Sequence, residues 1–388
     1  MDFDLTEEQQ LLNTNVRTYL EKEIAPQVHE YESRGPLTRD ETISFIKQLM
    51  PFGYYNGRAD VDWGGSNLDA KTYGILQEEL SRVWPGLCGT LWIAGGGGPL
   101  PGMTDADVRE LKSRVRAGES IRAGAITEPE HGSDSSRLET RATLDGDEWV
   151  INGTKIWISD GPICDQITVS VTIDPALGRK GLRRVFVDRR YSPFEVVRQN
   201  PLLGLKAWPN GELRFDDVRV PRHALTDPSE GSYGGGKQVW NFETPRTLLG
   251  IMGVGIGQAA IDASIQYAKD RVQFGKPIGS FQLVQEMIVE MVIEVESARF
   301  LTYRAMDLQD KGRDGTWESS IAKAYSTEMA HRVASKAVEI HGALGLLEGY
   351  PVERMFRDAR SLSIPDGTTE IQKLVAGRRL LGISAIGN

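Results

Sequence analysis

The period of the apolar pattern changes twice along this chain, and this change limits the possible folds more than any other feature. From Leu5 to Ile24 the apolar residues recur at helical spacing, and helical patterns continue through the first third of the chain. Short β-rich runs replace them near Ile121, and long helical patterns return after the glycine-rich segment 229–238. We therefore predict an α+β, mainly α protein in which a β domain lies between two helical domains.

Three domains follow from these changes of period. We expect an N-terminal α-helical domain at 1–120, a middle antiparallel β domain at 121–230 and a C-terminal four-helix-bundle domain at 231–388. Thr6 and Gln9 are placed to form a capping box for the first helix. Further helices are predicted over about 37–50, 69–83, 105–117, 240–272, 281–309, 319–341, 350–362 and 369–381.

Within the middle domain, Asn152-Gly153 is expected to form the turn of a β-hairpin. Asn-Gly is the strongest short hairpin signal, because both central residues of a type I′ turn need a positive φ. β-rich runs lie on both sides of the pair, in the segment 146–159. Further strands are predicted at 165–173, 183–188, 194–199 and 211–221.

Charge and cysteine content exclude several classes of function. The chain has 45 basic and 54 acidic residues and a net charge of -9, with no run of Lys or Arg, so we expect neither nucleic-acid nor membrane binding. The two cysteines, Cys88 and Cys164, are far apart, which argues against a disulfide framework and a zinc site. With no export signal at the N-terminus, we expect a cytoplasmic protein.

The most apolar segment, 247–268, contains a G-x-G-x-x-A pattern at 255–260. The pattern can mark a nicotinamide site, but that site needs a βαβ unit, and here one helical pattern follows another. Glycines, Gln258 and Asp262 interrupt the segment, which leaves too short an apolar run for a membrane span. We predict a buried helix whose small residues allow close packing.

Glu328 and His331 form an E-x-x-H pair, which in helical bundles can bind a di-iron centre. Such a centre needs a second E-x-x-H pair and two more carboxylates that face inward, and the bundle sequence contains no second pair. We therefore predict no metal site.

Two polar segments leave both structural and functional interpretations open. The loop "TEPEHGSD", 127–134, is rich in turn residues, yet the hydroxyls of Thr127 and Ser133 could hold an oxygen-rich ligand. In "KIWIS", Trp157 is equally compatible with a core position and with contact to a flat aromatic ligand, and Ser159 follows on the same face. In "PDGTTEIQ", Asp366 is either a turn residue or a reactive group.

Taken together, "TEPEHGSD", "NGTKIWIS", "RVQFGKPI", "AVEIHGALG", "YPVERMFRDAR" and "PDGTTEIQ" closely resemble the acyl-CoA dehydrogenase family over essentially the whole chain. The resemblance implies three domains, helical, β and helical, with non-covalent FAD in a cleft near subunit contacts. It also implies a homotetramer, with a mixed tetramer as the alternative.

The resemblance assigns FAD contacts residue by residue. Thr127 and Ser159 match contacts to the flavin ring, Trp157 matches the indole that packs against it, and Ser133 serves both an FAD phosphate and the substrate. Other implied FAD contacts are Ile126, Thr368, Thr369 and Glu370, together with Arg271, Phe274, Gln282, Glu339, Gly342 and Ala343 from a neighbouring subunit. The family often has Gln and Gly at the positions of Glu339 and Ala343.

The catalytic loop departs from the common family pattern. Common members have a glutamate, preceded by tyrosine, where this chain has Asp366 preceded by Pro365, and other members take the base from the position of Pro245. The resemblance therefore implies that Asp366 is the base, with Glu243 a weaker candidate. Arg246 would order the loop, and Glu243, Arg246 and Gly367 would contact substrate.

The function implied is FAD-dependent formation of a 2,3-double bond in an acyl-CoA, with electrons passed to an electron-transfer flavoprotein. Because Asp is one carbon shorter than Glu, we hypothesise a bulky, branched or cyclic acyl group, for which the glycine-rich segment 91–103 could make room. The alternatives are an oxidase similar to nitroalkane oxidases, a dehydrogenase of acyl-carrier-protein substrates and a supporting subunit without its own activity.

Overall fold

The order of elements is helices, then a sheet, then helices, as predicted, in a computed structural model that describes residues 4–95, 103–226 and 242–385. The predicted capping box is confirmed: the Thr6 hydroxyl accepts from the Gln9 N–H, and the Gln9 side chain accepts from the Thr6 N–H. The helices before the sheet are α1 (Glu7–Tyr19), α2 (Val28–Arg34), α3 (Arg39–Leu49), α4 (Ala70–Val83), α5 (Pro85–Ala94) and α6 (Asp105–Arg116). Those after it are α7 (Glu243–Asp270), α8 (Gln282–Asp310), α9 (Thr316–His341), α10 (Pro351–Leu362) and α11 (Thr369–Leu381).

The middle sheet is mixed, so the prediction of an antiparallel sheet is only partly right. Within the described residues it has eight strands: β1 (Arg122–Ala125), β2 (Arg141–Asp145), β3 (Glu148–Ser159), β4 (Gln166–Thr172), β5 (Leu182–Asp188), β6 (Glu195–Gln199), β7 (Asn210–Pro221) and β8 (Leu225–Thr226). Their order in the sheet is β6-β7-β3-β2-β4-β5-β8, and β1 pairs with β4 in parallel. The chain between β1 and β4 is long enough for the crossover that a parallel pair requires.

Asn152-Gly153 does not form a hairpin turn, and that prediction was wrong. β3 runs straight through the pair, and the β2–β3 turn lies earlier, where Asp145 pairs with Glu148. Gly153 instead occupies a register shift against β7, with φ of 151°, and a Cβ there would lie 2.6 Å from the Thr140 hydroxyl oxygen. The glycine is needed for close approach of the backbone at a bulge, which local sequence cannot distinguish from a turn.

Helix α7 lies at the centre of the helical bundle, and its glycines permit contact with three other helices. A Cβ on Gly253 would lie 2.7 Å from the Ser326 carbonyl oxygen in α9, and one on Gly257 would lie 2.8 Å from Val295 in α8. The interpretation of 255–260 as a packing motif is confirmed, since the whole segment is helical. The helix is long and apolar enough to cross a membrane, but 72% of its most apolar window is buried inside the protein.

Replacing Gly255 with Ala should destabilise the fold by about 1–3 kcal/mol, the usual cost of overpacking. The added Cβ would lie 2.5 Å from the Glu78 carbonyl oxygen in α4, a backbone atom that cannot rotate away. Gly377 in α11 is the matched control, because a Cβ there meets nothing within 4 Å. Gly377→Ala should stabilise the protein by up to about 1 kcal/mol through helix propensity. Thermal unfolding of both variants tests whether the two substitutions change stability in opposite directions.

Candidate active site

The loop 363–367 joins α10 to α11 and holds Asp366 in an unusual backbone conformation. Asp366 has φ of 53° and Gly367 has φ of 93°, so two consecutive residues are left-handed. Pro365 fixes the preceding φ, and Asp tolerates the left-handed region better than most residues that carry a Cβ. Asp366 is therefore a turn residue by conformation. Its surroundings decide whether it can also be reactive.

Asp366 is half-buried, and two cations lie near its carboxyl group. Burial raises its pKa above the usual value for aspartate, and the charges of Lys323 in α9 and Arg246 in α7 partly oppose that rise. A carboxylate with a raised pKa is a stronger base than one in open water, and the two cations favour its ionised form. The structure thus brings together Asp366 and Arg246, the two residues predicted to be catalytic.

Arg246 is itself buried in the first turn of α7. Its Nη1 donates to the Ser320 hydroxyl at 3.2 Å, and its guanidinium lies 5.4 Å from the centre of the Phe242 ring. Glu243, the weaker candidate for the base, also acts on the charge of Arg246, but one of its oxygens accepts a 2.8 Å hydrogen bond from the Thr316 hydroxyl. This bond leaves Glu243 less free than Asp366 to accept a substrate proton.

Two residues below the loop were missed by the sequence analysis. Lys323 is fully buried and donates to the carbonyl oxygens of Ser363 and Gly367, and Gln372 in α11 donates to those of Asp366 and Gly367. One signal was available for Lys323. It lies at helical spacing among the small residues that form the buried face of α9, where a charged residue is exceptional.

The residues predicted to contact the flavin ring lie together at the end of β3. The Ile156 N–H donates to the Thr127 carbonyl oxygen, which joins the "TEPEHGSD" loop to the strand. A bulge between Lys155 and Ile158 gives Trp157 a φ of 59° and leaves the residue 56% exposed, while Ser159 is half-buried. An exposed indole flanked by hydroxyl groups fits a flat aromatic ring with polar edges, so these residues fit FAD.

A buried ion pair supports the end of β3 and the neighbouring loop 127–134. Lys155 donates to the Glu128 carboxylate and to the Ile126 carbonyl oxygen, each at 2.8 Å, and it has no exposed surface. Glu128 also accepts from the backbone N–H groups of Glu139 and Thr140. Burial alone would raise the pKa of Glu128, but the charge of Lys155 and these N–H groups outweigh it and lower the pKa.

The residues assigned to a neighbouring subunit lie elsewhere on the chain. Arg271 and Phe274 belong to the connection between α7 and α8, and Phe274 is 92% exposed. Within the described residues, no hydrogen bond joins this connection to the end of β3. The other exposed members of the predicted set are Ser133, Gln282, Glu339, Gly342, Ala343 and Glu370. These exposed residues are therefore open to contact with another molecule.

The residues after the catalytic loop anchor α11. The Thr368 hydroxyl caps the helix by accepting from the Ile371 N–H, and the Thr369 hydroxyl donates to Glu328 at 2.7 Å. Glu328 is therefore already engaged, and His331 packs against the ring of Phe356. Across 4–95, 103–226 and 242–385 there is no cluster of three or more His, Cys, Asp or Glu residues that could hold a metal ion.

Asp160, directly after Ser159, is a second carboxyl group that the sequence analysis missed. It is fully buried, and neither of its oxygens has a hydrogen-bond partner in the part of the chain that the structure describes. Burial raises its pKa well above the usual value, and the Thr90 hydroxyl and the Trp208 indole N–H, which lie near the carboxyl group without forming a well-aligned hydrogen bond to it, only partly oppose the rise. Between its pKa in the unfolded chain and its raised pKa in the folded protein, the side chain is ionised when the protein is unfolded and neutral when it is folded.

Replacing Asp160 with Asn should stabilise the protein increasingly as pH rises. Because the folded state binds the Asp160 proton more tightly, wild-type stability is lost as pH rises from about 4 towards the raised pKa, by up to about 1.4 kcal/mol per pH unit. Asn has no such proton to lose. Unfolding free energies of both proteins across pH 4–8 test this, with the exposed Asp147→Asn as control. A difference in unfolding free energy between wild type and Asp160→Asn that does not change with pH would contradict the raised pKa of Asp160.

Three family models cover almost the whole chain. They are the N-terminal, middle and C-terminal domains of acyl-CoA dehydrogenase, which match residues 6–104, 123–218 and 234–381. Among solved structures, butyryl-CoA dehydrogenase from Megasphaera elsdenii has a TM-score of 0.87 and 30% identity, and the match covers 98% of this chain and 100% of that one.

Curated relatives match over nearly their full length. The probable acyl-CoA dehydrogenase YngJ of Bacillus subtilis is 33% identical, and the match covers 98% of this chain and 100% of YngJ. Cyclohex-1-ene-1-carbonyl-CoA dehydrogenase of Geobacter metallireducens is 35% identical, and subunit CarC of the caffeyl-CoA reductase-Etf complex of Acetobacterium woodii is 30% identical. Both of these matches cover 97% of this chain and 99% of the relative. The chain therefore belongs to the acyl-CoA dehydrogenase family of FAD-dependent oxidoreductases.

Proposed function

We propose that this enzyme converts an acyl-CoA thioester to its 2,3-enoyl thioester, with Asp366 as the base that removes the α-proton. The observation that carries the proposal is the half-buried Asp366 carboxyl group between the charges of Arg246 and Lys323. The α C–H bond breaks, its proton bonds to the Asp366 carboxylate, and its electron pair forms the double bond as hydride leaves the β-carbon. Pro245, at the alternative base position of the family, cannot accept a proton.

FAD, when bound, supplies the acceptor for the β-hydride. Thr127, Trp157 and Ser159 would hold its ring at the end of β3, and the exposed hydroxyl of Ser133 is available for a phosphate. Arg271, Phe274 and Gln282 would contact the adenine and pyrophosphate of FAD bound to a second copy of the chain. Their exposure in a single chain supports this assignment.

Removal of the α-proton also requires polarisation of the thioester carbonyl, since that proton is far too weakly acidic to leave unaided. A fixed N–H group directed at the oxygen stabilises the charge that develops there. We assign this donor to the backbone N–H of Asp366, so that one residue would both polarise the carbonyl and accept the proton. Arg246, buried beside the loop, would keep Asp366 ordered and charged.

The acyl group is proposed to be bulky, branched or cyclic. Asp366 reaches about 1.5 Å less far than a glutamate would, and a misplacement of about 1 Å can cost on the order of 10²-fold in rate. A relative named for a cyclohexenyl thioester supports a cyclic substrate. Most of the glycine-rich segment 91–103 lies outside the described residues. Wild type should prefer cyclic over short linear acyl-CoA, and Asp366→Glu should reverse that preference. An unchanged preference would contradict this.

The partners we propose are an electron-transfer flavoprotein and further copies of this chain. The similarity to a subunit of a caffeyl-CoA reductase-Etf complex supports the first. Val289, Ile293 and Phe300 lie along one face of α8 and are 57%, 60% and 52% exposed, which supports assembly through that face as a homotetramer. Light scattering coupled to gel filtration tests this.

Two free, buried cysteines support the proposed cytoplasmic location.

The proposed function is tested by the visible spectrum of the purified protein. The yellow protein, kept free of oxygen, is mixed with linear, branched and cyclic acyl-CoA thioesters. Loss of the flavin absorbance with at least one thioester is expected. A yellow protein that no thioester bleaches would contradict the proposal and favour an oxidase, an acyl-carrier-protein substrate or a supporting subunit. Rapid reoxidation of reduced flavin by oxygen would identify the oxidase.

A further inference from the structure

Lys323 lies on the buried face of α9, in a row of small residues. Ser319 precedes it by four positions, and Ser326 and Ala330 follow at three and seven positions, all with no exposed surface. A buried ammonium group loses its hydration and is costly unless its donors are satisfied. The bonds that Lys323 makes therefore indicate why a lysine is tolerated there.

The ammonium group of Lys323 bonds both ends of the catalytic loop. Its Nζ donates to the Ser363 carbonyl oxygen at 2.6 Å and to the Gly367 carbonyl oxygen at 2.7 Å. Asp366 lies between these two residues. One side chain from α9 thus fixes the distance between the end of α10 and the start of α11, and with it the shape of the loop.

Gln372 supports the same loop from α11. Its Nε2 donates to the carbonyl oxygens of Asp366 at 2.8 Å and Gly367 at 3.0 Å, and a Cβ on Gly367 would lie 2.7 Å from that nitrogen. A left-handed residue with a Cβ costs about 1–3 kcal/mol and persists only where its surroundings hold it. The bonds from Lys323 and Gln372 provide this restraint for Asp366.

Charged groups from several elements face the Lys323 ammonium. They are Asp366 on the loop, Glu328 on α9, Glu370 on α11 and Arg246 on α7. Burial lowers the pKa of Lys323 to about 8, although these carboxylates oppose the shift, so the cation still predominates at pH 7. The cation in turn favours the ionised form of Asp366.

We propose that Lys323 is a positioning residue for the dehydrogenation: its ammonium ties both ends of loop 363–367 and holds Asp366 in the left-handed, ionised state that can accept a proton. This inference rests on the proposed role of Asp366 as the base. It assigns Lys323 two separable effects, one on loop geometry and one on the charge of Asp366.

The test uses Lys323→Met and Lys323→Gln in the holoenzyme, each measured by two methods. In a plot of kcat/KM against pH, the low-pH limb should move to higher pH by about one unit, because loss of the cation raises the pKa of Asp366. At the optimum, kcat should fall about 10–10²-fold, as expected for a misplaced base. Hydrogen exchange of peptides that span 363–368 should be faster in both variants. Gln keeps a donor but no charge, so it also provides a folded variant if Met prevents folding.

Two controls separate the effects. Gln372→Leu should speed exchange of the loop but leave the low-pH limb in place, since it removes bonds without removing charge. Lys47→Met removes an exposed lysine that pairs with Glu119 and not with the loop, and should change neither measurement. The inference would be overturned if both Lys323 variants showed the wild-type pH profile of kcat/KM and the wild-type rate of hydrogen exchange in the loop. If the wild-type protein oxidises no thioester, the proposed function fails. Hydrogen exchange of the loop tests the bonds from Lys323 independently, and unchanged exchange in the Lys323 variants would refute their role.

Discussion

Asp366→Asn should lower kcat/KM for the acyl-CoA substrate by about 10³-fold, within the range that general bases contribute. Asn has nearly the same shape as Asp and tolerates a positive φ equally well, so the turn with φ of 53° should be retained. What is lost is the group that accepts the α-proton. Stopped-flow measurement of flavin reduction under anaerobic conditions gives the rate, and visible absorbance shows that FAD is still bound.

Glu243→Gln distinguishes Asp366 from the other carboxylate beside Arg246. Glu243 already accepts a hydrogen bond from Thr316, so its amide replacement should slow reduction far less than Asp366→Asn does. If Asp366→Asn retained more than about a tenth of wild-type activity while Glu243→Gln lost it, Glu243 would be the base.

Lys155→Met should destabilise the protein by about 3–5 kcal/mol and weaken FAD binding, the second large effect that we expect. The variant leaves Glu128 buried without its partner, and an unpaired buried charge is far more costly than the loss of a surface pair. Lys155 also holds the Ile126 carbonyl oxygen, next to Thr127 in the proposed flavin contact. Denaturant unfolding of the apoprotein and a fluorescence titration with FAD measure the two losses separately.

The double variant Lys155→Met with Glu128→Gln tests the physical cause. Gln removes the unpaired charge and keeps one oxygen, which can accept from the N–H of Glu139 or of Thr140, so the double variant should be more stable than Lys155→Met alone. The exposed pair Lys47–Glu119 is the control, and Lys47→Met should leave the unfolding midpoint unchanged. Equal losses at both lysines would contradict the importance of burial.

Most of the candidate site was predicted from short motifs, because its residues lie in a few contiguous segments. Asp366 and Arg246 were predicted together through the family resemblance, and the structure places their charges near one another. Lys323 was not predicted, because its role depends on carbonyl oxygens that lie 40 and 44 positions later in the chain. Asp160 was missed for a similar reason, since only tertiary packing removes it from water.

The sequence by itself determined the order of helices and strands, the cap at Thr6 and the burial of α7. These features depend on apolar spacing and on residues within one helical turn, so a local pattern contains the necessary information. Tertiary structure decided the pairing of β1 with β4 and the bulge at Gly153, since a close backbone neighbour and a turn both select glycine. It also decided the surroundings of Asp366, because charge and burial there come from helices distant in sequence.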